Sequence, residues 1–146
     1  MLATYDTSNS LSYTSSPNKF LTQSWLHFQT SGQGPYFGQR AWFTFYAEEK
    51  PQSVLDRYGA EIWRVTGVID AQLKKTKSEW LVGDKCSYAD LAFVPWYWLC
   101  PAIMGEGFDK VGSLEEFLVK AACVPCVKGD VLTVLSLLGV GVQVSD

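Results

Sequence analysis

The chain has 146 residues, 47% of them hydrophobic and 14% aromatic, with 6 Trp, 7 Tyr and 8 Phe. Only 18% are charged, against roughly 25% in ordinary globular chains, which excludes disorder over most of the length because enough apolar surface is available to offset ordering entropy. The net charge is −3, from 12 basic and 15 acidic residues, without a basic cluster; that excludes a nucleic-acid partner, and the length fits one domain.

Residues 1–16 are rich in Ser, Thr and Asn and show no hydrophobic period, so they read as a tail or linker. With Asp6 and no early basic residue they do not resemble a secretory leader. Ser16-Pro17 predicts a helix start: Ser caps open N–H groups and Pro suits the first turn. Phe20, Leu21, Ser24, Trp25 and Phe28 then fall on one predicted face. Thr30-Ser31-Gly32-Gln33-Gly34-Pro35 breaks or bends this helix, and a second aromatic run follows through Tyr36, Trp42, Phe43, Phe45 and Tyr46.

Pro51 opens the longest pattern. Val54, Tyr58, Ile62, Val65, Ile69 and Leu73 recur every three or four residues, an amphipathic stripe. Gly59 and Gly67 interrupt it at about 1 kcal/mol each relative to Ala, which predicts close approach of a neighbouring helix. Trp80 to Lys85 reads as a short extended or turn segment. From Leu91 to Cys100 the chain is apolar all round, which predicts a central, fully surrounded helix. Leu91–Met104 contains Pro95 and Pro101, and Val131–Val144 contains Gly139 and Gly141; both fall short of the ~20 residues that cross a bilayer. Nothing in the first hundred residues alternates with period two for long enough to make a sheet, so the fold class is all-α, a helical bundle without a membrane span.

Ser87-Tyr88-Ala89-Asp90 has the spacing of a capping box, in which the Ser and Asp side chains each satisfy the other residue's N–H, with Cys86 and Leu91 placed as a hydrophobic staple. Ser87 as a nucleophile needs a base, and the one histidine, His27, lies in another element and reads as a surface residue. Cys123-Val124-Pro125-Cys126 has redox or zinc spacing, but lacks a preceding strand and a full ligand set. The four cysteines read as incidental, in a reducing compartment, and no metal is expected. Arg57 lies one step off the apolar stripe. It can pair with Glu61 at i+4 or bind a carboxylate from a cleft; the pattern favours the pair.

Three segments together resemble a known family. Gln29-Thr-Ser-Gly-Gln-Gly-Pro-Tyr-Phe-Gly-Gln39 resembles the bent helix of one glutathione transferase branch, the fungal nitrogen-regulatory prion-like transferases and their bacterial nu-class relatives. Asp56-Arg57-Tyr58 through Arg64-Val65-Thr66-Gly67-Val68 resembles the helix after it. Trp80-Leu-Val-Gly-Asp-Lys-Cys-Ser-Tyr-Ala-Asp-Leu-Ala-Phe-Val-Pro-Trp96 resembles the family's capping box and core helix, internal proline included. The likeness runs from about Leu2 to about Phe108.

The resemblance implies the C-terminal helical domain of a glutathione transferase over residues 17–108, after a linker and remnant of a preceding domain at 1–16. It implies that the thioredoxin-type domain, which binds glutathione and carries the catalytic group, is missing. Residues 109–146 form an atypical tail, in which Ser113-Leu-Glu-Glu116 can cap a short helix; the family's Trp- or Arg-rich turn and Arg-Pro pair are not found there. By resemblance Arg57 meets a glutathione carboxylate. Arg40 stands where bacterial relatives often carry an Asn that reaches glutathione, and Phe28, Tyr36 and Phe37 complete the implied substrate-binding set. The helix from Trp25 to Phe43 is implied to face both a thioredoxin domain and a dimer partner, leaving an apolar surface around Trp25, Tyr36, Phe37 and Trp42. No residue is assigned to catalysis. The expectation is therefore a truncated, cytoplasmic glutathione transferase-like protein. Its complete form transfers glutathione, as co-substrate, to small electrophiles or reduces peroxides with it. The alternatives are a non-catalytic helical interaction module and a fragment without function.

Overall fold

The computed structural model describes residues 6–105, 108, 116–118 and 121, and it contains helices and no strand among them. Over residues 6–105 four α-helices follow in order: α1 (Asn18–Phe28), α2 (Gly34–Phe45), α3 (Gln52–Thr76) and α4 (Tyr88–Met104). The tail beyond 121 and the Cys123/Cys126 pair lie outside the described residues.

Helix α1 starts one residue later than a Ser16 cap predicts. Pro17 occupies the cap position and no side chain caps it. The Ser15 carbonyl instead takes the Lys19 N–H, so the turn grows from backbone bonds. The inward stripe also differs from the predicted face. Phe20 and Leu21 are 59% and 46% exposed, whereas Thr22 is buried and Trp25 and Phe28 pack on Phe93. A polar residue takes that place because its hydroxyl returns to the Asn18 carbonyl at 2.8 Å, which cancels the cost of burying it.

Between α1 and α2 the chain bends without breaking. Gln29–Gln33 form one wide π turn, and Pro35, which has no N–H to return, sits in the first turn of α2. The buried Gln33 amide donates to the Phe93 carbonyl at 3.2 Å and accepts from Gln29 at 3.1 Å, fastening the bend to α4.

The stripe of α3 packs as its spacing predicts. Ile62, Val65, Ile69 and Leu73 are buried, while Val54 and Tyr58 at the open end are half-buried. Thr66 joins them, its hydroxyl bonded to the Ile62 carbonyl at 2.8 Å and 3.2 Å from the Tyr97 hydroxyl on α4. Of the two glycines, only Gly59 faces neighbours. A Cβ there would stand 3.7 Å from Met104 and 3.9 Å from Arg40; one at Gly67, which is exposed, would meet nothing within 4 Å. The close approach expected at Gly67 is therefore not found among the described residues.

Helix α4 carries both halves of the capping box. Its inner side is Phe93, Val94, Tyr97, Cys100 and Ile103, and it joins Phe37, Ile62, Val65 and Ile69 in the core. The predicted all-round burial does not hold. Pro95 is exposed and Leu91, Trp98 and Leu99 are half-buried, because the neighbouring helices cover its inner side and leave the other open. Beyond α4, Phe108, Phe117 and Ala121 are buried too, so the core reaches past the 17–108 span.

Residues 6–15 form no regular element, yet they are docked. The Tyr13 hydroxyl accepts the Asp84 and Lys85 N–H groups at 3.1 Å each. Lys85 donates to the Ser12 carbonyl at 2.9 Å, and its ammonium lies 4.9 Å from the centre of the Tyr13 ring. The Leu11 carbonyl takes the Tyr88 N–H, one of the donors left open at the start of α4. Asp6 gathers this segment through bonds from Ser10 and Leu11. Some desolvation raises its pKa, but these bonds, with Ser12, outweigh it and hold the carboxyl at about 2.

Candidate functional site

The aromatic run of α2 divides over three sides of one helix. Phe37 points inward, fully buried, with its ring edge-to-face against Tyr97 at 5.4 Å and Trp96 at 6.3 Å. It is a core residue and not part of an exposed surface, which corrects the expectation that grouped it with Trp42. Tyr36, Arg40 and Phe43, spaced four and three residues apart, face α3. Trp42, Phe45 and Tyr46 lie outward, 53%, 47% and 67% exposed, with Trp42 and Tyr46 rings 5.6 Å apart.

The side facing α3 has a defined geometry. Tyr58 packs against both Tyr36 at 6.3 Å and Phe43 at 6.1 Å, the latter nearly parallel at 23°. Next to it on α3 is Arg57. Its expected partner, Glu61, instead accepts from Arg64 Nε at 2.7 Å, so the predicted i+4 pair is not formed. Arg57 is exposed and makes no hydrogen bond or ion pair among the described residues. A guanidinium in that position can take a carboxylate on its fork without breaking an existing contact.

Arg40 is used differently. Its Nε donates to the Ile103 carbonyl at 2.8 Å, in the last turn of α4. Partial desolvation lowers its pKa from the usual arginine value, while the Asp56 charge works in the opposite sense. Phe28 is half-buried between Trp25 at 5.5 Å and Phe93 at 6.4 Å, against α4 and apart from this side. The structure thus sets Tyr36 and Arg40 on the side of α2 that meets α3, leaves Arg57 exposed one residue from Tyr58, and packs Phe28 and Phe37 against α4.

Sequence reasoning missed Tyr58 and Phe43 as members of this face. Tyr58 also falls on the apolar stripe of α3, so its spacing alone points to the core. The spacing of Tyr36, Arg40 and Phe43, at i, i+4 and i+7, was the available signal for the other half.

Ser87 offers no nucleophile. It is fully buried and its hydroxyl donates to Asp90 Oδ2 at 2.5 Å. Cys100 is buried and burial pushes its thiol far above the usual range, so it is an inert core residue. His27 is exposed, with Nδ1 2.7 Å from the Gln23 carbonyl. No cluster of three or more His, Cys, Asp or Glu able to hold a metal occurs among the described residues, and no helix among them is long and apolar enough to cross a membrane.

Known proteins share this architecture. The family model for the glutathione S-transferase C-terminal domain matches residues 32–120. The glutathione S-transferase-like protein tpcF of Aspergillus fumigatus is 43% identical over 111 residues, which are 71% of this chain and 49% of that protein. Among solved structures, Ure2p5 of Phanerochaete chrysosporium, cocrystallized with 1-(S-glutathionyl)-2,4-dinitrobenzene, matches with a TM-score of 0.82 at 30% identity, over 97% of this chain and 67% of that one. Ure2p in complex with glutathione matches with a TM-score of 0.73 at 31% identity, over 80% and 56%. The chain spans about half the length of the curated relatives it matches.

Proposed function

Because this chain belongs to the glutathione S-transferase C-terminal domain family, we propose that it is the helical part of a glutathione transferase-type protein. In this reading glutathione is the co-substrate, transferred to small electrophiles or used to reduce peroxides, with no metal. The group that activates the thiol belongs to a thioredoxin-type domain, and the face of Tyr36, Arg40, Phe43, Arg57 and Tyr58 is turned toward the glutathione side. A cytoplasmic location suits it, since glutathione is held reduced there.

The observation that carries this reading is Arg57, exposed, next in sequence to Tyr58 and unpaired among the described residues. An exposed arginine with its obvious partner already taken suits an anionic ligand. The ligands in the Ure2p5 and Ure2p structures, a glutathione conjugate and glutathione, support the same class.

The test compares the chain alone with the chain joined to a thioredoxin-type domain from a relative, using glutathione and chlorodinitrobenzene. Turnover is expected only in the joined protein. Arg57→Ala in that protein should raise KM for glutathione about tenfold, the loss of one charge-assisted bond. Turnover by the chain alone, abolished by Arg57→Ala, would place the catalytic groups within these residues and overturn the assignment.

A second reading, a non-catalytic interaction module that also accommodates a homodimer, is favoured by the outward aromatics Trp42, Phe45 and Tyr46. It predicts binding to a protein partner that survives Arg57→Ala and fails when those aromatics are replaced.

A further inference from the structure

We propose that Arg40 is a positioning residue and not a ligand contact: it ties the end of α4 to α2 across Gly59 and thereby sets the edge of the Tyr36–Tyr58 face. Its functional meaning rests on the glutathione-side reading of that face; its geometry does not.

The last carbonyls of a helix have no partner within it. Helix α4 ends at Met104, where Gly105 turns the chain with φ +88° and its N–H closes onto the Pro101 carbonyl at 3.1 Å. The Ile103 carbonyl is one of those left over, and Arg40 Nε supplies its donor at 2.8 Å. A cation there also meets the negative end of the helix dipole.

The route is a narrow one. From α2 the Arg40 side chain passes α3 at Gly59, where a Cβ would lie 3.9 Å from Nη1 and 3.7 Å from the Met104 methyl. Arg40 and Met104 therefore sit side by side over Gly59, the residue of α3 next to Tyr58. Through Ile103 and Met104, Arg40 joins three helices at the edge of the proposed ligand face. To reach a ligand through the same nitrogen it would have to release α4.

Glutamine separates the two roles. Its side-chain nitrogen occupies the place of an arginine Nε, so Arg40→Gln keeps the donor to Ile103 and loses the charge and the fork. Arg40→Met keeps the apolar stem and loses the donor, which limits the risk of unfolding. Amide hydrogen exchange on the full chain reads the tie at Gly105 and in the last turn of α4. Titration with S-hexylglutathione, on the chain joined to a thioredoxin-type domain, reads ligand binding.

Arg40→Met is expected to speed exchange at the α4 end about tenfold, with α1 and the middle of α3 unchanged, and to weaken S-hexylglutathione binding. Arg40→Gln should restore both to near the parent values. Unchanged protection at Gly105 in Arg40→Met, or equal loss of protection in every helix, overturns the tie. So does Arg40→Gln losing affinity as fully as Arg40→Met while α4 stays protected, for then Arg40 touches the ligand. If the parent protein binds no S-hexylglutathione, the glutathione reading fails, and exchange alone still decides the tie.

Discussion

Asp90 accepts the Leu81 N–H on Oδ1 at 2.9 Å and the Ser87 N–H on Oδ2 at 2.8 Å, so one buried carboxylate fastens the α3–α4 loop to the first turn of α4. A capping box alone accounts for the second bond. The first reaches back nine residues and gives Asp90 a wider role than closing its own helix.

Asp90→Ala should accordingly cost more than an ordinary cap. Losing the cap costs about 1 kcal/mol, and leaving the buried Leu81 and Ser87 donors unsatisfied adds a desolvation penalty, giving about 2–4 kcal/mol in all. Urea unfolding monitored by tryptophan fluorescence measures it. A loss under about 1 kcal/mol would mean that water reaches these donors and the site is not closed.

The same carboxyl gives a pH dependence with a definite sign. Burial pushes its pKa above the ordinary 3.8, against the bonds from the Ser87 side chain, Leu81 and Ser87 N–H. The native state then holds the proton to higher pH than the unfolded chain does. The contribution of Asp90 to stability is greatest in acid, falls as pH rises from about 4 through the native pKa, and is level above it. The stability difference between the parent and Asp90→Asn should shift in that direction across this window. A difference that instead favours the parent more strongly as pH rises would show that the hydrogen bonds outweigh burial.

Gly83 and Tyr13 give a second point of attack. Gly83 has φ +64°, and a Cβ there would stand 2.4 Å from the Tyr13 hydroxyl, inside contact distance. Gly83→Ala therefore meets both an unfavourable backbone region and a clash that displaces the 6–15 segment, at about 1–3 kcal/mol. Tyr13→Phe removes the acceptor for two N–H groups but keeps the ring, and should cost about 1–2 kcal/mol. Limited proteolysis before α1 reads the release directly. Equal resistance to cleavage in parent and variants would show that Tyr13 does not hold the segment.

What could be read in the sequence follows from how local the determining contacts are. The α3 stripe was legible because a single long helix repeats one environment along its length, and the Ser87–Asp90 box because its partners lie three residues apart. The docking of residues 6–15 was not legible. It depends on isolated anchors, Tyr13 on the 82–85 turn and the Leu11 carbonyl on Tyr88, and isolated anchors leave no period. The three-way division of α2 was hidden for a different reason. Tyr36, Phe37, Trp42, Phe43 and Phe45 give every side of the helix an aromatic residue, so hydrophobicity alone cannot tell the core side, occupied by Phe37, from the outward one. Arg40 enters the substrate-binding set by resemblance alone; its bond to a backbone carbonyl sixty-three residues away is one to which composition and spacing are blind. The family resemblance drew attention to residues of α2 and α3, but their neighbours had to come from packing.

The outward side of α2 carries the final prediction. Trp42, Phe45 and Tyr46 are 53%, 47% and 67% exposed and contiguous along the end of the helix. Contiguous apolar surface of this kind marks an interaction site, whereas scattered exposed residues need no explanation. The purified chain is therefore expected to bind an apolar fluorescent dye and to self-associate as its concentration rises, as seen by light scattering. Replacing Trp42 and Phe45 together with Gln should reduce both signals and leave unfolding stability within about 0.5 kcal/mol, because neither side chain belongs to the core. Comparison with a chain ending at Lys128 separates an open face from one covered by the remaining residues: if they cover it, dye binding rises on shortening. A monodisperse monomer that binds no dye, both at full length and shortened, would mean that this face is not available for contact, and the interaction-module reading would fall with it.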